Sequence, residues 1–176
     1  ASVHSVASFF VSRVDTEVDR RLDAIGTSHA LALRGQAAVA QARLAYRLFG
    51  DRFAGERWER LAARGAQVQR PLWASTSTKN PSYPDTLYVD SLIGPDTVNT
   101  LPETTIAAFE DHGTIARTID SGVAHAEAVM DRLAEVGVDM DDVGRTLEDQ
   151  GVASFHQSFA HVLQALESKA RQLAPR

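Results

Sequence analysis

The first 26 residues constrain the fold most, because a short apolar run leads directly into a helix-start signal. Six apolar residues lie between positions 3 and 11. This pattern predicts a buried strand covered on both faces, as in a parallel sheet. The TEVD sequence at residues 16–19 is typical of a helix start, and Val18, Leu22 and Ile25 share one apolar face of the helix that follows. Gly26 is its expected stop signal.

Arg13 lies between that strand and that helix. The sequence therefore predicts Arg13 at the carboxyl end of a strand and beside a helix N-terminus, where α/β folds bind anionic ligands. A guanidinium suits a phosphate because it is always charged and presents a planar fork of donors. The alternative is a surface ion pair with Asp15 or Glu17.

Strand and helix patterns alternate along the next 90 residues. We predict a long helix over 29–49, a helix over 57–66, a strand over 66–75, a polar loop, a strand over 86–93, and a helix that Pro102 opens and that ends near residue 112. Beyond Gly113 the pattern predicts three helices separated by glycines. Strands spaced by helices indicate parallel β/α units and an α/β fold.

Three parallel strands make a narrow sheet with open edges and partly covered faces. A complete β/α barrel has eight strands and about 250 residues. The count predicts the last three β/α units of a (β/α)8 TIM barrel in residues 1–113, followed by C-terminal helices in 114–176 that pack on the barrel. We also expect a piece of a longer chain, because the first strand follows Ala1 almost at once.

Charge and composition exclude several classes of protein. The net charge of −5 argues against a general nucleic-acid surface and against a polybasic membrane contact. No apolar run approaches the roughly 20 residues of a membrane span, and the first apolar stretch lacks the basic leader of a signal peptide. The chain has no cysteine, which fits a cytoplasmic protein without disulfides.

The histidine and aspartate patterns predict no metal site. His156 and His161 are five residues apart and do not share a helix face. The acidic residues at 139–142 lack the glycine and glutamate spacing of a calcium loop. An apolar stripe in the last helix indicates a face packed on the barrel or on a second subunit, and it comprises Phe155, Phe159, Val162 and Leu166.

Four long stretches closely resemble the C-terminal half of bacterial transaldolases of the actinobacterial type. They occur in the expected order and are SVASFFVSRVDTEVDRRLDAIG, LALRGQAAVAQARLAY, RPLWASTSTKNPSYPDTLYV and IGPDTVNTLPETTI. The resemblance covers nearly the whole chain, and the last helices are its least diagnostic part. It implies that the three predicted strands are strands six, seven and eight of a (β/α)8 barrel of the class I aldolase type.

The resemblance also implies the chemistry. Such enzymes of the pentose phosphate pathway move a dihydroxyacetone unit between sugar phosphates, namely fructose 6-phosphate, sedoheptulose 7-phosphate, erythrose 4-phosphate and glyceraldehyde 3-phosphate. A lysine forms a Schiff base with the substrate, a glutamate working through water and an aspartate move the protons, and no metal or organic cofactor takes part.

The resemblance gives site roles to individual residues. Arg13 resembles the family's phosphate-binding arginine, and Ser75 resembles a second phosphate contact. Ser8 resembles a serine that bonds a substrate hydroxyl, although a lone strand serine more often bonds neighbouring backbone. Lys79 resembles a basic phosphate ligand in the same loop, where a hydroxyl at 76–78 could take that role and Lys79 could be a solvated charge.

The chain has only two lysines, Lys79 and Lys169. We do not expect Lys79 to be the Schiff-base nucleophile, because a polar loop before Pro81 should leave its amine solvated, whereas such amines need burial or a cationic neighbour. The family nucleophile lies on strand four, so we expect it, with the catalytic aspartate and glutamate, upstream of Ala1. The chain alone should then be inactive, and the N-terminal half of the barrel is its expected partner.

Two other interpretations stay open on the sequence alone. The chain could be a non-catalytic sugar-phosphate-binding module or half-barrel, or a domain of a fusion with another sugar-phosphate enzyme.

Overall fold

The structure is a computed structural model that describes residues 3–173. Its strands are separated by helices up to residue 99, and only helices follow among the described residues. In chain order they are β1 (Ser5–Phe10), α1 (Val11–Ile25), α2 (Ser28–Leu31), α3 (Ala37–Arg52), α4 (Gly55–Ala62), β2 (Gln69–Ala74), α5 (Leu87–Asp90), β3 (Val98–Asn99), α6 (Glu103–His112), α7 (Val123–Glu135) and α8 (Met140–Leu173).

The described strands form one parallel sheet in the order β1-β2-β3. Phe10 pairs with Ala74 at the end of the β1–β2 ladder, and Trp73 pairs with Asn99 between β2 and β3. The prediction of an α/β fold with parallel strands is therefore confirmed. Because the strands run the same way, their carboxyl ends meet at one edge of the sheet.

The predicted strand over 86–93 was wrong. These residues contain the short helix α5, and the third strand is β3, farther along the chain. An apolar run of this length fits a strand or a buried helix equally well. The helical turn buries Tyr88, Val89 and Leu92 together, and a strand would have sent Tyr88 and Val89 to opposite faces.

Helix α1 begins five residues earlier than predicted, at Val11. The buried stripe of Val11, Val14, Val18 and Leu22 extends the helical period back to the end of β1. Thr16 does not cap the helix, because its hydroxyl donates to the carbonyl of Ser12 one turn earlier at 2.9 Å. Arg13 consequently lies in the first turn of α1 and not in the strand.

Only one face of β1 is covered by described residues, so the prediction of two covered faces was wrong for this part of the chain. Phe9 packs beside the buried ring of Trp73, with 5.6 Å between ring centroids. On the opposite face Val6 is 40% exposed and Phe10 is 44% exposed, and Ser8 lies exposed between them. The sheet thus has a packed face and an open face.

The remaining helices agree with the predicted helices except at two points. The predicted helix over 29–49 is divided into α2 and α3, and Gly35 lies between them with φ +72. The helix start at Pro102 is confirmed, since Pro102 is the N-cap of α6. The predicted break at Gly151 was wrong, because Gly151 lies inside α8.

Contacts divide the chain into two compact units, one ending at Val138 and one beginning at Asp139. In the first unit α3 packs against α1, β2 and α7. The second unit contains α8, whose apolar stripe is exposed, with Phe155 at 68% and Phe159 at 65%. The predicted division of residues 1–113 from 114–176 stays a prediction. Among the described residues no helix combines the length and apolar character needed to cross a bilayer.

Candidate functional site

Two serines tie the carboxyl ends of β1 and β2 together. The Ser12 backbone N–H donates to the Ser75 carbonyl at 3.0 Å, and the two side-chain hydroxyl oxygens lie 2.8 Å apart. The β1–β2 register ends level at Phe10 and Ala74, so the residues that follow both strands meet at one edge. This pairing brings Ser75 next to the first turn of α1, which carries Arg13.

Ser75 occupies an uncommon backbone conformation. Its φ is +56, in the left-handed region that residues other than glycine, asparagine and aspartate seldom adopt. Such a conformation costs on the order of 1–3 kcal/mol and persists where surrounding contacts hold it. Here the two hydrogen bonds to Ser12 hold it. Strain of this kind concentrates at ligand sites, which agrees with Ser75 as a candidate ligand.

The Arg13 guanidinium is exposed and forms no ion pair with any described residue. Its Cζ lies 4.9 Å from the centroid of the Phe10 ring, within the range of a cation–π contact. The alternative ion pairs are not formed. Glu17 instead pairs with Arg20 at 2.7 Å and with Arg21 at 2.8 Å, and this lowers the Glu17 pKa to about 2.

An anion bound to Arg13 would also be favoured by the helix that carries this residue. Arg13 is the third residue of the 15-residue α1, at the end where the helix dipole favours negative charge. A cationic fork without a carboxylate partner at a helix N-terminus is a favourable place for a phosphate.

Ser8 lies on the open face of β1, opposite Leu72 of β2. Its side chain is exposed and forms no hydrogen bond with a described residue. The alternative interpretation of a buried hydroxyl bonded to neighbouring backbone is therefore wrong for this part of the chain. Its hydroxyl is free to meet a ligand on the open face.

The loop after Ser75 has one fixed hydroxyl and one exposed amine. Thr76 is fully buried, and its hydroxyl donates towards Asn99 Oδ1 at 2.9 Å and the Thr100 carbonyl at 3.1 Å. This leaves positions 77–79 as candidate phosphate ligands in the loop. Lys79 is exposed, and its Nζ donates to Ser77 Oγ at 2.8 Å.

A buried carboxylate beside the site had no signal in the sequence. Asp15 accepts from the Ala38 backbone N–H at 2.8 Å and from the Tyr88 hydroxyl at 2.7 Å. Burial raises the pKa of Asp15 to about 6, although both hydrogen bonds act in the opposite direction. Burial and the neighbouring carboxylate raise the pKa of Tyr88, so it stays a hydrogen-bond donor.

A cavity of about 300 Å3 lies between α1 and the loop. Its lining includes Lys79 and Arg20 but also the three carboxylates of Asp15, Asp19 and Asp23. These negative charges oppose binding of a phosphate there. We therefore place an anion at the strand-end edge, beside Arg13 and Ser75, and not in this cavity. No group of three or more His, Asp or Glu side chains within residues 3–173 is arranged to hold a metal ion.

Sequence comparison with known proteins identifies the family of the chain. Residues 1–166 match the family model of transaldolase/fructose-6-phosphate aldolase. The chain is 54% identical to a transaldolase of Mycolicibacterium smegmatis over 170 residues, which are 96% of this chain and 46% of the relative. It is 57% identical to one of Acidothermus cellulolyticus over 173 residues, with the same two shares, and 59% identical to one of Frankia alni over 160 residues, 90% of this chain and 43% of the relative.

The chain spans somewhat under half the length of these curated relatives. Within that span the family model covers every residue of the candidate site. The chain therefore belongs to the transaldolase/fructose-6-phosphate aldolase family.

Proposed function

We propose that these residues form the phosphate-binding side of a pentose phosphate pathway transaldolase. Arg13 is the principal phosphate ligand, and Ser75 and Lys79 are the further ligands. Ser8, on the open face of the sheet, bonds a hydroxyl of the bound sugar. The observation that carries the proposal is the Ser12–Ser75 pairing, because it puts the unpaired Arg13 fork and Ser75 at one edge.

The proposed reaction transfers a dihydroxyacetone unit between sugar phosphates through a Schiff base. Fructose 6-phosphate and sedoheptulose 7-phosphate are the donors, and erythrose 4-phosphate and glyceraldehyde 3-phosphate are the acceptors. In this proposal the reaction takes place in the cytoplasm, which fits a chain without cysteine. An arginine fork held beside a helix N-terminus would fix the phosphate end of each sugar, so that its carbonyl lies at a constant distance from the site edge.

The Schiff-base lysine belongs, in this proposal, to the part of the family's length that these residues do not match. Both lysines of this chain are exposed, Lys79 in the loop and Lys169 on α8. Lys79 is exposed and lines a cavity with three carboxylates and only one other cation, Arg20. A solvated amine among carboxylates keeps a high pKa, which is the wrong environment for a nucleophilic amine at neutral pH. The open face of β1, with Val6 and Phe10, is where the remaining strands would pack.

A complementation experiment tests this assignment. The 176-residue chain is mixed with the segment of the Mycolicibacterium smegmatis transaldolase that it does not match, and fructose 6-phosphate and erythrose 4-phosphate are added. We expect transfer only in the mixture. Borohydride should then trap dihydroxyacetone on the added segment. An adduct on Lys79, or full activity of the chain alone, would contradict the assignment of roles.

A non-catalytic sugar-phosphate-binding module is the second candidate. The exposure of both lysines favours it, since neither amine sits in a site suited to Schiff-base chemistry. In that case the chain would bind fructose 6-phosphate, and the mixture would show binding without transfer.

A further inference from the structure

Two aspartates on α1 each hold a tyrosine from the segment that follows β2. Asp15 accepts the Tyr88 hydroxyl at 2.7 Å, and Asp19, one helical turn later, accepts the Tyr83 hydroxyl at 2.6 Å. The two pairs bridge 73 and 64 residues of sequence. They fix the far end of the segment whose near end is Ser75.

Gly35 contacts both members of the Asp19–Tyr83 pair and holds them in place. The second oxygen of Asp19 accepts the Gly35 backbone N–H at 2.9 Å. A Cβ on Gly35 would lie 2.8 Å from Tyr83 Cζ, so the tyrosine ring rests directly on the bare glycine backbone. The carboxylate, the ring and the glycine therefore specify one position for Tyr83.

Tyr83 in turn fixes the residues next to Lys79. The Tyr83 backbone N–H donates to the Asn80 carbonyl at 3.1 Å, and the Ser82 N–H donates to Asn80 Oδ1 at 3.0 Å. These bonds form a tight turn that begins one residue after Lys79. The position of the Lys79 backbone thus depends on the position of Tyr83.

The two pairs differ in burial. Tyr88 and Asp15 are almost fully buried, whereas Tyr83 is half-buried and borders the cavity that Lys79, Asp19 and Asp23 also line. The Asp15–Tyr88 contact is consequently the one that fixes the end of the segment in the core, and the Asp19–Tyr83 contact is the one that solvent can reach. If Tyr83 no longer donates to Asp19, that carboxylate becomes a competing partner for the Lys79 amine.

We propose that the Asp19–Tyr83 pair, seated on Gly35, is a latch that positions Lys79 for the substrate phosphate and keeps the Asp19 carboxylate from pairing with its amine. Tyr83 and Asp19 are positioning residues, since their role is exerted through Lys79. The inference rests on the proposed phosphate role of this edge.

The test measures the affinity of the 176-residue chain for inorganic phosphate and for fructose 6-phosphate by calorimetry. Tyr83→Phe keeps the ring on Gly35 and removes the bond to Asp19. Tyr46→Phe is the matched control, because its hydroxyl donates at 3.0 Å to the Pro95 carbonyl, away from the segment. Asp19→Asn is a second variant that disrupts the same Asp19–Tyr83 hydrogen bond. Thermal unfolding of each variant checks that it is folded at the temperature of the titration.

We expect Tyr83→Phe to weaken both ligands about five- to tenfold and Tyr46→Phe to leave them within twofold. In a double-mutant cycle, the loss caused by Lys79→Gln should largely disappear in the Tyr83→Phe background, because the latch acts through Lys79. A purely structural role would leave the two losses additive.

Three results would overturn the inference. Unchanged affinity in Tyr83→Phe would contradict the latch and leave the proposed phosphate site unaffected. Additive losses of affinity in the Tyr83→Phe and Lys79→Gln double variant would contradict it in the same way. Unchanged affinity in Lys79→Gln would exclude any action through that amine. Absence of binding by the unsubstituted chain would instead remove the proposed phosphate role itself.

Discussion

The Arg13 guanidinium lies over the ring of Phe10, with 4.9 Å between Cζ and the ring centroid. This contact joins the last residue of β1 to the first turn of α1, and it leaves the planar fork without a carboxylate partner among described residues. A charge-assisted hydrogen bond contributes about 1.5–3 kcal/mol, which corresponds to roughly 10- to 100-fold in affinity.

Arg13→Gln should therefore weaken inorganic phosphate and fructose 6-phosphate binding by about 10- to 100-fold, measured by calorimetry. Arg13→Lys should recover part of this loss, since it restores the charge but not the fork. Arg47→Gln is the matched control, because Arg47 pairs with Glu127 on the surface between α3 and α7. Equal effects of the Arg13 and Arg47 substitutions would contradict the proposed site.

Thr76→Val should destabilise the chain by about 0.5–1.5 kcal/mol in urea unfolding, because it removes the buried hydroxyl that donates to part-buried acceptors on Asn99 and Thr100. Thr78→Val is the control in the same loop. Thr78 is half-buried and its hydroxyl has no hydrogen-bond partner among described residues, so its substitution should stay within about 0.5 kcal/mol. Equal losses at both positions would show that the Thr76 bonds contribute little.

Gly35→Ala and Gly50→Ala should have opposite effects on stability. At Gly35 the new methyl group meets the Tyr83 ring and the backbone has φ +72, so we expect a loss of roughly 1–3 kcal/mol. Gly50 lies in α3 with nothing within 4 Å of an added Cβ, so alanine should gain about 0.5–1 kcal/mol. Thermal or urea unfolding of both variants measures this, and a stabilising Gly35→Ala would disprove the close packing of Tyr83.

The buried Asp15 should make stability fall as pH rises from 4.5 to 7. Burial raises its pKa from 3.8 in its ordinary state to about 6, so in this range the folded chain holds a proton that the unfolded chain has released. The stabilisation is complete below pH 3.8 and is lost as pH passes 6. It amounts to about 2 kcal/mol at most between pH 4.5 and 7.

Asp15→Asn removes this titration, so the difference in unfolding free energy between the two proteins should change with pH over that interval. The groups facing Asp15, namely Tyr88, Asp19 and Tyr83, are the same in both. The scan stays above pH 4.5 because the Glu17 pKa is lowered to about 2, so that its stabilisation is present above 4.5 and is lost only in acid. Parallel pH profiles would contradict a raised Asp15 pKa.

The sequence predicted those features that depend on local patterns. Parallel strands followed from strand and helix alternation, and the α6 start followed from Pro102. The α5 turn could not be predicted in this way, because Tyr88 is fixed by Asp15, 73 residues away. Ser12 likewise carries no motif, and its role comes from Ser75, 63 residues away. The position of Arg13 at the strand-to-helix junction could be predicted because such a junction has a local signature, whereas the Asp15, Tyr88 and Ser12–Ser75 hydrogen bonds around it have none.

The sheet order also affects how β1 interacts with other copies of the chain. Among described strands β1 pairs only with β2, so its outer edge presents backbone N–H and C=O groups ready to pair with another strand, next to the apolar side chains of Val6 and Phe10. Concentrated solutions of this chain should consequently self-associate through β1, and a lysine in place of Val6 should raise the concentration at which it stays dispersed.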